Sequence, residues 1–471
     1  MTSSSMSRTL VFGIAAGVLI VAGCNVGPRY KRPAYASPPA FRGADNASVV
    51  SEPQNSLGDE QWSDVFREPE LKALIQTALA NNYDARIAAR RVLEQQAQVQ
   101  ITRSQEFPQI TGGGTGIGAT LPSTLGTSIA SPLAFGSFNV GATWTPDFWG
   151  IYRKQTEAAR AQLLAQLWAQ RAVRLSIVQQ VVTTYIQLRA LDRELEITQQ
   201  TLKVRQDSLE LTEKLERGGS APLSDVRQAE QLLYTASSQL PQIEQQIQQQ
   251  ENALSILLGA NPGPVAHTAP DALAPPPQDL PTSIPSQLLE RRPDIQQAEQ
   301  TLVAANAQIG IARAQFFPQL SITTSAGLGG NEFSNLFDLS GKTIYGIGSL
   351  TQPIFEGGKL RGQLKLSRET KDEMVLSYQK TILGAFRDVS NALIALNKQR
   401  VYRQEQEKLV AAAQDSTRLA RIRYQGGATA YLEVLTTDSS LYSAQLNLVT
   451  AQQSEAVTLV QLYSALGGGW Q

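Results

Sequence analysis

The sequence predicts a mainly helical chain with a small membrane-type β component, the whole pattern written twice. Three observations predict it. Sliding the chain over itself by 210 residues lays residues 84–109 over 294–319 without a gap, the mark of an internal repeat. Ten of those 26 pairs are identical, among them Asp84/Asp294, Ala97/Ala307, Arg103/Arg313 and Phe107-Pro108-Gln109 over Phe317-Pro318-Gln319. Two runs of 67 residues, 151–217 and 359–425, contain no proline. Short segments of alternating apolar and small or polar residues recur between the helical stretches, with the period of a strand.

Each half has the same internal order. A helical segment comes first, residues 70–106 or 294–316, and stops at Phe-Pro-Gln, because proline disfavours helix at the residue before it. Two strand-like segments follow. Residues 138–145 and 320–328 alternate clearly, and residues 109–121 and 342–352 are their weaker partners, with loops expected at 122–136 and 329–341. The long proline-free run is next. At 1.5 Å per residue, 67 helical residues reach about 100 Å. Val181, Leu188, Leu195, Leu202 and Leu209 recur every seven residues in the first run, which is coiled-coil spacing. The second run carries Gly362 and Gly384. Gly218-Gly219 and Gly426-Gly427 then turn the chain into a last helix, 223–258 or 428–466. Taken alone, a Gly-Gly pair also suits a phosphate loop, but its recurrence at equivalent places makes these turn residues.

The N-terminus is a targeting segment. Arg8 precedes an apolar run over residues 10–22 that ends in Val21-Ala22-Gly23-Cys24. Its length suits a signal-peptide core and is too short for a membrane-spanning helix. Small residues before the sole cysteine resemble a bacterial lipobox, which predicts Cys24 as the acylated first residue of the mature chain. An ordinary signal peptide with an incidental cysteine is the competing reading. The resulting division is a signal peptide at 1–23, an anchored Pro/Ser/Ala-rich tether at 24–60, a first repeat at 61–262, a Pro-rich connector at 263–293 and a second repeat at 294–471.

Composition excludes the commonest catalytic toolkits. Lys plus Arg and Asp plus Glu both number 41, so the formal net charge is zero, without the basic footprint of a nucleic-acid binder. One cysteine and one histidine, His267 in the connector, leave no disulfide framework, Cys-based zinc site or multi-His metal centre. No cofactor is expected, and the chain is expected not to be an enzyme. No later stretch is apolar enough to cross a membrane as a helix, so crossing requires a β-barrel. Four short strands do not close a barrel that holds a pore, and an open edge in lipid is forbidden. Membrane strands therefore demand an oligomer with eight, twelve or sixteen strands. The alternative is a rod-like coiled-coil lipoprotein whose strands pack on something else.

The lipobox followed by Asn25-Val26-Gly27-Pro28-Arg29-Tyr30, the paired Phe-Pro-Gln motifs, Gln352-Pro353-Ile354-Phe355-Glu356-Gly357-Gly358 and the terminal Leu466-Gly467-Gly468-Gly469-Trp470 together resemble the TolC-type outer-membrane factors. The likeness is to their lipoprotein branch, NodT-like or OprM-like, which serves RND efflux systems, and it covers essentially the whole mature chain. It implies a homotrimer with a 12-stranded β-barrel in outer-membrane lipid, a 12-helix periplasmic α-barrel and an equatorial belt holding the connector. A periplasmic adaptor and an inner-membrane RND pump complete such a machine, and the channel is its passive exit duct for drugs or other small toxic compounds. The resemblance also places a gate at the periplasmic tip, closed by the last helix pair. Tyr424 falls on the family's tethering tyrosine and Arg423 on its basic neighbour. Glu433, in the stretch that Leu432 opens, falls where some members carry a ring-forming aspartate. Thr436 replaces the family's other aspartate, with Asp438 two residues on. Asp225 lies over Glu433 in the first repeat. A three-fold ring of carboxylates would attract cations and narrow the mouth. Two other readings stay open: the exit duct of a one-step protein secretion system, and the coiled-coil structural lipoprotein.

Overall fold

The computed structural model describes residues 26–43, 57–119, 133–267, 285–330 and 341–468. The signal peptide, Cys24, most of the connector, most of the two inter-strand loops and the terminal Trp470 lie outside the described residues. In order, the elements are a 3₁₀ turn (Leu57–Asp59), α1 (Trp62–Val65), α2 (Pro69–Asn81), α3 (Tyr83–Ser104), β1 (Gln109–Ala119), β2 (Leu133–Trp144), α4 (Ile151–Arg217), α5 (Leu223–Leu257), α6 (Pro285–Arg291), α7 (Pro293–Ala314), β3 (Gln319–Gly330), β4 (Lys342–Thr351), α8 (Lys359–Gln425) and α9 (Tyr431–Ala465). The two 67-residue helices occupy the two proline-free runs. The first helix of the first half is divided. Asn82 takes an extended backbone, its Oδ1 accepts from the amides of Asp84 and Ala85 at 2.8 and 3.2 Å, and its Nδ2 donates to the Leu257 carbonyl. This side chain serves as an N-cap for α3. Pro293 starts α7 in the same way, since its missing N–H costs nothing at the first helical position. A helix, α6, thus forms inside the segment expected to be connector.

The chain divides into two compact units. The first, residues 1–34, 92–166 and 298–378, holds the sheet. Its four strands run antiparallel in the order β1-β2-β3-β4. The register divides their side chains between a mostly polar and a mostly apolar face. Gln109 pairs with Thr143, Thr143 with Thr323 and Gln319 with Thr351. Opposed residues share a face and alternate along each strand, so Thr111, Asn139, Thr143, Ser321, Thr323, Ser349 and Thr351 lie together, with Tyr345 and Ile347 of β4 on the same face. The other face carries Ile110, Phe138, Val140, Ala142, Leu320, Ile322, Ile344 and Leu350. Ile110, Ile344 and Leu350 are each at least 70% exposed, so one face of this sheet is an uncovered apolar wall.

At the foot of the sheet the indole of Trp149 stacks on Phe317, with ring centres 4.7 Å apart, and donates to the Pro318 carbonyl at 2.7 Å. Trp144 donates to the Glu106 carbonyl. The segment expected to be a tether is docked where it is described. The Tyr30 hydroxyl donates to Glu299, as does Arg32. Gly27 lies so close to Gly310 that a Cβ would come within 2.8 Å of its Cα.

The second unit, residues 35–91, 167–297 and 379–471, is helical apart from its connecting segments. Val181 and Leu188 are fully buried, as are Ile382 and Val389. With Leu396 the latter pair also recurs every seven residues, a seam that the sequence reading missed. Leu195, Leu202 and Leu209, by contrast, are only half-buried. Phe41 is buried against Phe386. His267 reaches Asp192 at 3.1 Å and the Val265 carbonyl at 2.7 Å. Burial pushes the imidazole pKa down, but the carbonyl and the Asp192 and Glu251 carboxylates outweigh it and hold the pKa above its ordinary value.

Candidate functional site at the helical hairpins

Two hairpins of identical construction join the long helices to the helices that follow them. After α4, the amide of Gly219 donates to the Glu216 carbonyl and that of Ser220 to Leu215. After α8, the amide of Gly427 donates to Tyr424 and that of Ala428 to Arg423. Both are Schellman closures, which need a left-handed residue just past the helix. Gly219 and Gly427 supply it with φ of 70° and 71°. Gly218 and Gly426 complete the last turns, their amides donating to Lys214 and Ile422. A phosphate loop would leave such amides free for a ligand; here they are spent on the helix ends.

The second hairpin gathers the sequence-derived candidates. Glu433, in the first turn of α9, accepts from Arg423 at 2.7 Å and from the Thr429 hydroxyl. The pair is a clasp across the turn within one chain, and both partners remain substantially exposed. Tyr424 packs its ring on Tyr431, with centres 5.1 Å apart. Burial, reinforced by the Asp225 carboxylate, raises the Tyr424 hydroxyl above its ordinary value. Leu432 is 62% exposed. Thr436 is exposed and donates back to the Leu432 carbonyl. Beneath them Ala229, Ala420, Tyr431, Val434 and Leu435 form a small core, with Leu209, Leu232 and Tyr424 packed against it.

Asp438 is placed differently from these. It is buried, and its two oxygens accept from Arg205 and Arg421, each at 2.9 Å. Arg205 also donates to the Leu232 carbonyl and lies over the Tyr442 ring, 5.2 Å from its centre. One guanidinium–carboxylate centre therefore joins α4, α5, α8 and α9. Sequence reasoning missed Arg205 and Arg421. A signal for the first was available: Arg205 stands three residues after Leu202, at the second apolar position of the heptad series, where a charge demands a buried partner. Nothing comparable pointed to Arg421.

A sheet with one bare, mostly apolar face and two 67-residue helices, each closed by a Gly-Gly hairpin, fits the class of outer-membrane ducts. The chain belongs to the outer membrane efflux protein family, whose profile matches it twice, at residues 74–260 and 284–468. One match falls in each half of the chain. The cation efflux system protein CusC of Escherichia coli O6:H1 is 34% identical over 469 residues, covering 99% of this chain and all of that one. The probable efflux pump outer membrane protein TtgC of Pseudomonas putida KT2440 is 34% identical over 478 residues, covering 99% of this chain and 96% of that one. A crystal structure of the open state of the Neisseria gonorrhoeae MtrE outer membrane channel superposes with a TM-score of 0.84 at 29% identity, covering 95% of this chain and 99% of that one. The fold is that of the outer-membrane efflux channels, and the chain is the outer-membrane exit duct of an efflux system.

Proposed function

We propose that three copies of this chain close a 12-stranded barrel in the outer membrane, continue it as a 12-helix duct, and pass small toxic compounds delivered by a periplasmic adaptor and an inner-membrane RND pump. The observation that carries this reading is the sheet. It has four strands, one mostly apolar face, and two outer edges, β1 and β4, without a strand partner among the described residues. An unpaired edge is not viable in lipid, so the sheet needs other copies to complete it. Among the described residues, the duct's polar lumen face carries no arrangement that selects one cargo, which favours selectivity residing in the pump. The hairpin supplies the gate: Arg423, Tyr424 and Glu433 hold the last helix pair, and Asp438 fixes that pair to α4 from inside.

Cys24 is proposed as the lipid anchor, a second attachment beside the barrel. Labelled palmitate should be incorporated by the native chain and not by Cys24→Ser; incorporation by the variant would remove the anchor from the account. Native mass spectrometry in mild detergent tests the assembly. Three copies of the mature chain are expected, and a stable monomer with its strands formed would overturn the reading.

A further inference from the structure

His267 is the chain's one histidine, and the exit-duct reading gives it no task. It stands near the start of the connector, inside the second unit. α5 closes on the left-handed Gly259, and the Ala260 amide donates to the Ser255 carbonyl, so the chain turns back along its own helix. Ser255 Oγ then donates to the Gly263 carbonyl at 3.0 Å. The Val265 amide donates to Glu251 Oε1 at 3.2 Å. Two residues on, the imidazole reaches across to Asp192 of α4. The first residues of the connector are thus fastened at three points among the described residues, two on α5 and one on α4. His267 makes the one that titrates near neutral pH.

Both ring nitrogens face acceptors. Nδ1 lies 2.7 Å from the Val265 carbonyl oxygen, which has no proton to give. Nε2 lies 3.3 Å from Oδ1 and 3.1 Å from Oδ2 of Asp192. A neutral imidazole carries one N–H and satisfies one of these two contacts, whereas an imidazolium carries two and satisfies both. The side chains of His267 and Asp192 are only 15% and 14% exposed, so water is a poor substitute for either partner. Asp192 Oδ2 is buried and makes no hydrogen bond to any other group. Loss of the proton therefore leaves a shielded carboxylate facing a nitrogen lone pair, which is a cost rather than a contact. We infer that His267 is a proton-operated clasp: as imidazolium it fastens the start of the connector to α4, and as neutral imidazole it lets the connector go.

The charged groups that bear on the clasp are Asp192 and Arg189 of α4 and Glu251 of α5. Arg189 is engaged by Glu68 and the Tyr185 hydroxyl, so its charge steadies the Asp192 carboxylate without replacing the imidazolium. Burial works against the imidazolium, but the Val265 carbonyl, Asp192 and Glu251 outweigh it and hold His267 above its ordinary 6.5. A pKa raised in the folded chain adds stability that is complete below the ordinary value and is lost as pH rises through the folded one. Burial also raises the Asp192 carboxyl above its ordinary value, so strong acid dissolves the pair from the other side. The clasp is closed in mildly acid solution and open in alkali.

Because the chain has one histidine, its imidazole can be followed without interference in the full-length protein in mild detergent. Hydrogen exchange at the ring C2 position, read by mass spectrometry as pH is varied, should give a midpoint above 6.5, and Asp192→Asn should lower that midpoint. Backbone amide exchange reads the fastening. Protection of the Val265 amide, taken against its intrinsic rate, should fall about fivefold or more between pH 6 and pH 9. His267→Ala should be unprotected at both, and His267→Lys, a cation throughout this range, should stay protected at both. A midpoint at or below 6.5, or one that Asp192→Asn leaves in place, would overturn the pairing. Val265 protection that is constant with pH in the native chain, that survives in His267→Ala, or that falls equally in His267→Lys would overturn the clasp. The native profile decides the outcome by itself where a variant fails to fold.

Discussion

At the scale of single residues, the centre around Asp438 is the feature with the largest energetic consequence. Replacing one member of a buried ion pair leaves an uncompensated charge and costs about 3–5 kcal/mol, whereas replacing the pair with apolar groups is often neutral. Asp438→Asn should therefore lower the thermal unfolding midpoint strongly. Arg205→Met with Asp438→Leu should recover most of the loss, because Arg421 is exposed enough to reach water. Equal midpoints for the native protein and Asp438→Asn would show that the centre is not stabilising. The Arg423–Glu433 clasp is exposed, and such pairs are worth only about 0–1 kcal/mol each. Three copies releasing together would still bias a closed mouth toward open. Tyr424→Phe with Arg423→Ser should raise single-channel conductance, and Glu433→Gln should weaken cation preference without altering assembly. Unchanged recordings from both would move the constriction away from this hairpin, with Asp225 the next position to test. Family resemblance brought Arg423, Tyr424 and Glu433 to one place in the sequence. Their pairing was not legible there, and neither was the Arg205–Asp438 pair, because its partners lie 233 residues apart and meet only when four helices pack.

At the scale of elements, the sequence was most readable where one residue type decides the outcome. Absence of proline marked both long helices, and the paired glycines marked both closures. Phe-Pro-Gln preceded β1 and β3. The break at Asn82 was not legible, because asparagine is tolerated inside helices and becomes a cap only when its amide also finds the Leu257 carbonyl. Strand lengths were underestimated in β2, which begins at Leu133, because Gly and Ala weaken the alternation there. The register makes a sharp prediction. Asn139 and Thr143 share the polar face, Val140 and Ala142 the apolar one. Single cysteines at the first two should react with a water-soluble thiol reagent in intact membranes, and those at the second two should not. A reversed pattern would invert the barrel wall, and equal reactivity would mean that no wall stands there.

At the scale of the whole molecule, composition, repeat and sheet all point to a conduit. Charge neutrality and the small polar residues of one sheet face suit a water-filled lumen, and the opposite face suits lipid. What one chain cannot express is closure, since each copy supplies four strands and leaves two edges. The account therefore stands on current through a pore that only an assembly can form. The direct measurement is single-channel recording of the purified protein in planar bilayers. Discrete, long-lived conductance steps are expected from the trimeric fraction, and none from protein dissociated to monomers. A trimeric fraction that inserts without passing current, or a monomer that passes it, would contradict the exit-duct account.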